Sequence, residues 1–120
     1  MQTTTRFEFG DVILVGFPFT NLKTTKKRPA VVISCADYQS YRPDVVLMAI
    51  TSQIRDPLSF GEAMVNDWQV AGLLKPSVMK PLIATVEQSI VLKKMGSLSE
   101  RDRLQLKSLL PALLDLNTTT

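Results

Sequence analysis

A chain of 120 residues, 45% of them hydrophobic, suffices for one compact domain with a modest core and leaves no room for a second. Fourteen Lys and Arg against eleven Asp and Glu give a net charge of +3, a mild bias that suits a polyanionic partner without requiring one. The absence of histidine excludes Ser-His-Asp triads, Cys-His dyads and histidine-ligated zinc, and a single cysteine, Cys35, excludes an internal disulfide. No secretory signal and no apolar run long enough to span a bilayer is present, so the expectation is a soluble protein of a reducing cytoplasm, with no membrane partner.

Residues 1–6 are a polar, threonine-rich lead and 118–120 a polar tail, both expected to fray. Gly10-Asp11 is a turn signal, and Val12 to Val15 with Phe17 read as a central strand that Pro18 ends. From Phe19 to Lys27 runs a loop with Lys23, Lys26 and Lys27 and no acidic residue, which leads into Arg28-Pro29. Val31, Val32 and Ile33 are β-branched without interruption, as in a strand buried on both faces, and Pro29 stands where a missing N–H is tolerated. Arg28 is therefore held at the mouth of a rigid element. The residues alone leave two readings open: an ordinary solvated charge at a strand end, or a fixed guanidinium that hooks anions.

Residues 35–44 read as a polar loop, and Cys35, with no histidine to take its proton, as a small buried hydrophobe. Val45 to Ile50 form a third strand that stops at Thr51-Ser52-Gln53, three uncharged hydrogen-bonding side chains. Residues 60–65 suggest a short strand broken by Gly61. Asn66-Asp67 cap a single helical turn that Gly72 closes, with Trp68 a core or interface plug. Ser77 to Val86 form a strand whose Pro81 implies an edge or a bulge, with Lys80 just before it. Residues 87–94 are ambiguous between helix and strand, and Gly96 closes them. Ser99 and Asp102 frame a capping box for a terminal helix with leucines at 104, 106, 109, 110, 113 and 114, which Pro111 should kink near Lys107 or split. The sum is a mainly β fold: a small barrel of five to seven strands with a C-terminal α-helix, forming one domain over 1–120.

Three blocks in order carry a resemblance: Gly10-Asp11-Val12-Ile13-Leu14-Val15 with its Pro-Phe-Thr turn, Lys27-Arg28-Pro29-Ala30-Val31-Val32-Ile33-Ser34, and Ile50-Thr51-Ser52-Gln53. Together with Ala71-Gly72-Leu73-Leu74-Lys75-Pro76-Ser77 and Gly96-Ser97-Leu98-Ser99, they are similar to the PemK/MazF-like toxins of type II toxin-antitoxin systems. The resemblance implies a homodimer of SH3-like barrels that cleaves single-stranded RNA with no metal and no cofactor, leaving a cyclic phosphate and a 5′-hydroxyl. Arg28 matches the catalytic arginine of that family's Arg-Pro motif, and Thr51 its catalytic threonine. Phe19, Thr20, Lys23, Lys26, Lys27, Ser52, Gln53 and Lys80 then make up the RNA-binding surface. The implied protein partner is an antitoxin whose acidic, disordered tail folds onto the cationic mouth. One departure is visible: where some members carry an arginine and an aspartate on the strand over 77–86, this chain has Lys80 and Leu82. Two other classes compete with the ribonuclease: a gyrase-poisoning CcdB-like toxin, and a barrel that binds RNA or protein without chemistry.

Overall fold

The computed structural model describes residues 7–17 and 26–116. Its frame is one antiparallel sheet built from β1 (Asp11–Phe17), β2 (Lys26–Val32), β3 (Asp44–Thr51), β4 (Ala63–Met64), β5 (Val78–Glu87) and β6 (Val91–Ser97), in the order β4-β5-β3-β2-β1-β6. The uninterrupted apolar runs of the three central strands bury both faces. Val12, Val31, Met48 and Ile50 point to one side, where they meet Met79, Leu98 and Leu106. Ile13, Val15, Ala30, Val32, Leu47 and Ala49 point to the other, against Phe7 and Val45. Neighbours in sequence thus serve opposite cores, as the period of two in a strand requires.

The mainly β character, the strand number and the terminal helix agree with the expectation, while closure into a barrel does not. Among the described residues the edge strands β4 and β6 do not pair, so the ladder remains open. The reason lies in what fills the gap. β4 is only two residues long, and the turns that follow it bring Gly72 against β6, where a Cβ on Gly72 would stand 2.1 Å from the Met95 carbonyl oxygen. With φ at +80°, Gly72 adopts a backbone that side-chain-bearing residues avoid. Close backbone packing replaces a ladder there.

Pro81 behaves as its chemistry demands. β4 pairs only with Val78 and Met79, so the outer side of β5 is unpaired beyond them, and on the inner side the register jumps from Ala49↔Lys80 to Met48↔Ile83. Pro81 and Leu82 are the residues left over, a bulge at a place where no N–H is needed. Residues 87–94 resolve into a 3-10 turn, Gln88–Ile90, followed by β6, which runs through Gly96 to Ser97.

The polar stretch after Ser34 is not wholly a loop: Ala36–Tyr41 form a short helix, α1, that buries no residue. Its lack of an apolar stripe hid it from the sequence. Cys35, at its N-cap, is exposed and not the buried hydrophobe expected. The second helix, α2, runs from Glu100 to Leu113 as one element. Pro111 does not split it, because so near the C-terminus it removes only the single bond to the Lys107 carbonyl, and the Leu114 amide still reaches Leu110. The turn over 66–72 keeps one helical bond, Ala71 N–H to the Asp67 carbonyl at 3.2 Å, without becoming a helix, and Trp68 packs against the first core as a plug.

Candidate RNA-binding groove

The β2–β3 register places the two residues expected at the site. Ala30 pairs with Ala49, Val31 with Met48 and Val32 with Leu47, and the same register carried two residues further sets Arg28 opposite Thr51. The ladder itself begins at Ala30, since Pro29 has no N–H to give β3. Arg28 and Thr51 thus stand just beyond the end of this ladder, each still held by its other neighbour, Arg28 by Val15 of β1 and Thr51 by Val78 of β5. Arg28 and Thr51 are both half-buried, and Arg28 pairs with no carboxylate among the described residues. The Thr51 hydroxyl oxygen accepts from the Gln53 amide at 3.1 Å, which orients it and leaves its proton free to donate.

Both residues line a groove of about 500 Å³ at this end of the sheet. Leu14, Pro29, Ile50, Leu73 and Met95 supply its apolar surface, and Lys26, Lys27, Arg28, Lys75, Thr51, Ser52, Gln53 and Ser77 its polar one. Among the described residues, no carboxylate lines it. Such a groove favours an extended polyanion with apolar faces, since cations meet charge while the floor accepts a base or ribose. Of the sequence-derived residues, the groove unites Arg28, Thr51, Lys26, Lys27, Ser52 and Gln53. Lys80 is not among its lining residues: it lies on β5 opposite Ala49. Phe19, Thr20 and Lys23 lie outside the described residues. Lys75 and Leu74 line the groove and were not singled out from the sequence as site residues, although both stand in a block noted for its resemblance.

The wall formed by 73–77 is held from the far end of the chain. Asp102, in the first turn of α2 and fully buried, accepts from the Asn66 amide at 3.0 Å, the Asn66 side chain at 3.1 Å and the Asp67 amide at 2.8 Å. The expected capping box is thus half realised. Ser99 accepts from the Asp102 amide at 3.4 Å, but the Asp102 carboxylate takes the Ser99 hydroxyl at 3.3 Å and the 66–67 turn rather than Ser99 N–H. Asp67 in turn accepts from Arg101 at 2.7 and 2.8 Å and from the Ser99 hydroxyl at 2.5 Å. Those donors, Arg101 first, hold the Asp67 carboxyl down at about 2. From this anchor the Leu73 amide bonds back to the Trp68 carbonyl, and Val65 N–H to the Ser77 carbonyl.

Comparison with known proteins adds a family and a fold. The profile described as "PemK-like, MazF-like toxin of type II toxin-antitoxin system" matches residues 8–114. No curated protein matches. Among solved structures, an endoribonuclease in complex with its cognate antitoxin, from Mycobacterial species, superposes with a TM-score of 0.75 at 15% identity, covering 93% of this chain and 98% of that one. Mycobacterium tuberculosis toxin MazF-mt6 gives a TM-score of 0.72 at 19% identity over 90% and 99% of the two chains. MazF from Deinococcus radiodurans gives 0.72 at 17% identity over 93% and 99%. At these identities the structures speak for the fold.

The Asp67 network should show in acid. Because its carboxyl titrates lower in the folded chain than in the unfolded one, the stability it contributes is complete above the unfolded value near pH 4 and fades as pH falls toward 2. Thermal melts of the wild type and Asp67→Asn should differ by a constant amount above about pH 5 and converge toward pH 2. A difference that persisted unchanged at pH 2 would remove Asp67 from this role.

Proposed function

The chain belongs to the PemK-like, MazF-like toxins of type II toxin-antitoxin systems, and we propose that it acts as their endoribonucleases do, cutting single-stranded RNA in the groove at Arg28 and Thr51. The observation that supports this reading is that Arg28 and Thr51 line one groove together with Lys26, Lys27 and Lys75 and, among the described residues, no carboxylate.

In the reaction, the ribose 2′-oxygen attacks the adjacent phosphorus and loses its proton, a new O–P bond forms, and the bond to the 5′-oxygen breaks as that oxygen gains a proton. The products are a 2′,3′-cyclic phosphate and a 5′-hydroxyl. Negative charge accumulates on the non-bridging oxygens at the transition state, and preorganised donors aimed at it lower the barrier. A guanidinium has donors and no acceptor, so Arg28 neutralises charge and the role of base is not given to it. Thr51 donates its hydroxyl proton to a phosphoryl oxygen while its own oxygen stays anchored by Gln53. Lys26, Lys27, Ser52 and Gln53 bind flanking nucleotides. A 2′-hydroxyl nucleophile and a cationic clamp need neither metal nor cofactor, and sequence selectivity comes from the groove walls.

We place the protein in the cytoplasm, on the strength of one exposed, unpaired cysteine; among the described residues no helix is long and apolar enough to cross a membrane. The partner is an antitoxin with an acidic, disordered tail, supported by a groove whose cations and apolar floor suit an acidic peptide as well as RNA. Similar folds have been solved with a cognate antitoxin, in the mycobacterial complex and in MazE-MazF from Deinococcus radiodurans. Exposed Phe60, Leu114 and Leu116 favour a two-fold dimer, which would lengthen the track for a single strand.

Three variants test the chemistry. Single-turnover cleavage by Arg28→Ala and Thr51→Val should fall roughly a hundred- to a thousand-fold, the usual cost of losing a transition-state donor. Arg28→Lys should lie between them and the wild type, with Lys107→Ala, on α2 over Phe9, unchanged. A folded Arg28→Ala that cut within a few-fold of wild type would place the site elsewhere. Light scattering at micromolar concentration should give twice the 13.4 kDa chain mass, and the cognate antitoxin tail should displace a labelled RNA from that dimer. A monomer, or RNA binding unaltered by the tail, would count against these partners.

A further inference from the structure

The block Leu73-Leu74-Lys75-Pro76-Ser77 contributes to the groove in a way that its place in the chain conceals. Leu73 is buried, 6% exposed, in the first core, yet its neighbour Leu74 is 88% exposed, and both line the groove. An exposed leucine is ordinary on a protein surface. This one is not on a slack loop. Before it, Gly72 lies against the Met95 backbone and the Leu73 amide is bonded to the Trp68 carbonyl at 3.0 Å. After it, the hydroxyl of Ser77, 3% exposed, donates to the Lys75 carbonyl at 2.9 Å, and the Ser77 carbonyl takes the Val65 amide at 2.9 Å. The main chain is therefore pinned on both sides of Leu74-Lys75. A large apolar group and a cation are thus held out together, with little ordering left to be done when something binds.

Their place around the groove defines what that something is. Val78 pairs with Thr51, so Ser77 follows directly beyond the end of β3, and Leu74 and Lys75 line the same groove as Arg28 and Thr51. A strand of RNA whose cleaved phosphate lies at Arg28 and Thr51 extends along this groove. We propose that Leu74 and Lys75 form a nucleotide subsite next to the cleaved phosphate, Leu74 packing under a base and Lys75 binding a phosphate. The pairing suits a nucleotide, with one apolar face and one charge, better than a free anion, which would leave Leu74 without a partner. Lys75 is a binding residue here, holding a neighbouring phosphate and not the reacting one, and Ser77 is a positioning residue that fixes its main chain.

This inference rests on the ribonuclease reading, and the experiment separates the two. Wild type, Lys75→Ala, Leu74→Ser and Lys107→Ala are compared in single-turnover cleavage of a single-stranded RNA oligonucleotide, and in binding to the same oligonucleotide with a 2′-deoxy nucleotide at the cut. Both groove side chains are exposed, so folding, checked by circular dichroism, should be unaffected. Lys75→Ala should raise Kd about five- to tenfold, leave the saturated cleavage rate within about twofold, and lower the slope of log Kd against log salt by about 0.7, the value for one phosphate on a single strand. Leu74→Ser should raise Kd by a similar factor with the salt slope unchanged, since it removes an apolar contact only. If the wild type cuts and both variants match Lys107→Ala in Kd and salt slope, the subsite does not exist while the ribonuclease reading stands. If the wild type does not cut any single-stranded RNA, both fall.

Discussion

The register between β2 and β3 is the constraint on which the site depends. Three pairs, Ala30↔Ala49, Val31↔Met48 and Val32↔Leu47, fix it, and all six side chains are buried. A slip of one residue would exchange the two cores, sending Val31 to the side of Phe7 and Ala30 to the side of Leu106, where neither fits. Hydrophobic packing thus determines where Arg28 meets Thr51, although neither residue belongs to a core. Pro29 refines the arrangement. By ending the β2–β3 ladder at Ala30 it leaves Arg28 and Thr51 unpaired with each other, while Arg28 stays paired with Val15 on β1 and Thr51 with Val78 on β5.

The groove needs a second wall, and a buried carboxylate builds it. Asp102 collects three N–H donors from Asn66 and Asp67 across 35 and 36 residues of sequence. Hydrogen bonds to a charged group contribute about 1.5–3 kcal/mol each, against the cost of taking that charge out of water. The carboxylate also lies in the first turn of α2, where the helix dipole favours an anion. One residue thereby couples the terminal helix to the turn that packs on β6 and to the strip that lines the groove. This packing, rather than a ladder, brings the two ends of the open sheet together.

Much of this was legible in the chain. Unbroken apolar runs at 12–15, 31–33 and 45–50 announced strands, the first central and the second buried on both faces, because no alternation can survive where both sides are dry. Arg28 and Thr51 each stand at the end of such a run, where a strand delivers a side chain to a fixed place, but it was the resemblance to the PemK/MazF-like toxins that singled them out as catalytic. Pro81 announced its bulge for the same local reason. What could not be read was whatever depends on distant partners. Ser99 and Asp102 satisfy a local capping pattern, and nothing in their spacing shows that the carboxylate serves residues 66 and 67 instead. Lys75 stands in a block that carries a resemblance, and nothing in the sequence shows that Gly72 and Ser77 pin the main chain around it. α1 carries no apolar stripe, and the open edge between β4 and β6 follows from the shortness of β4, which no pattern fixed.

The central claim is that this groove stabilises attack by a ribose 2′-hydroxyl, with charge supplied by side chains alone. It is tested most directly by incubating the protein, in excess EDTA, with a single-stranded RNA oligonucleotide that it cuts and with the same oligonucleotide carrying one 2′-deoxy nucleotide 5′ to the cut phosphate. The account predicts fragments ending in a 2′,3′-cyclic phosphate from the first, and from the second no cleavage at that position with binding retained. Cleavage of the deoxy-substituted position, or loss of all cleavage in EDTA, would contradict it.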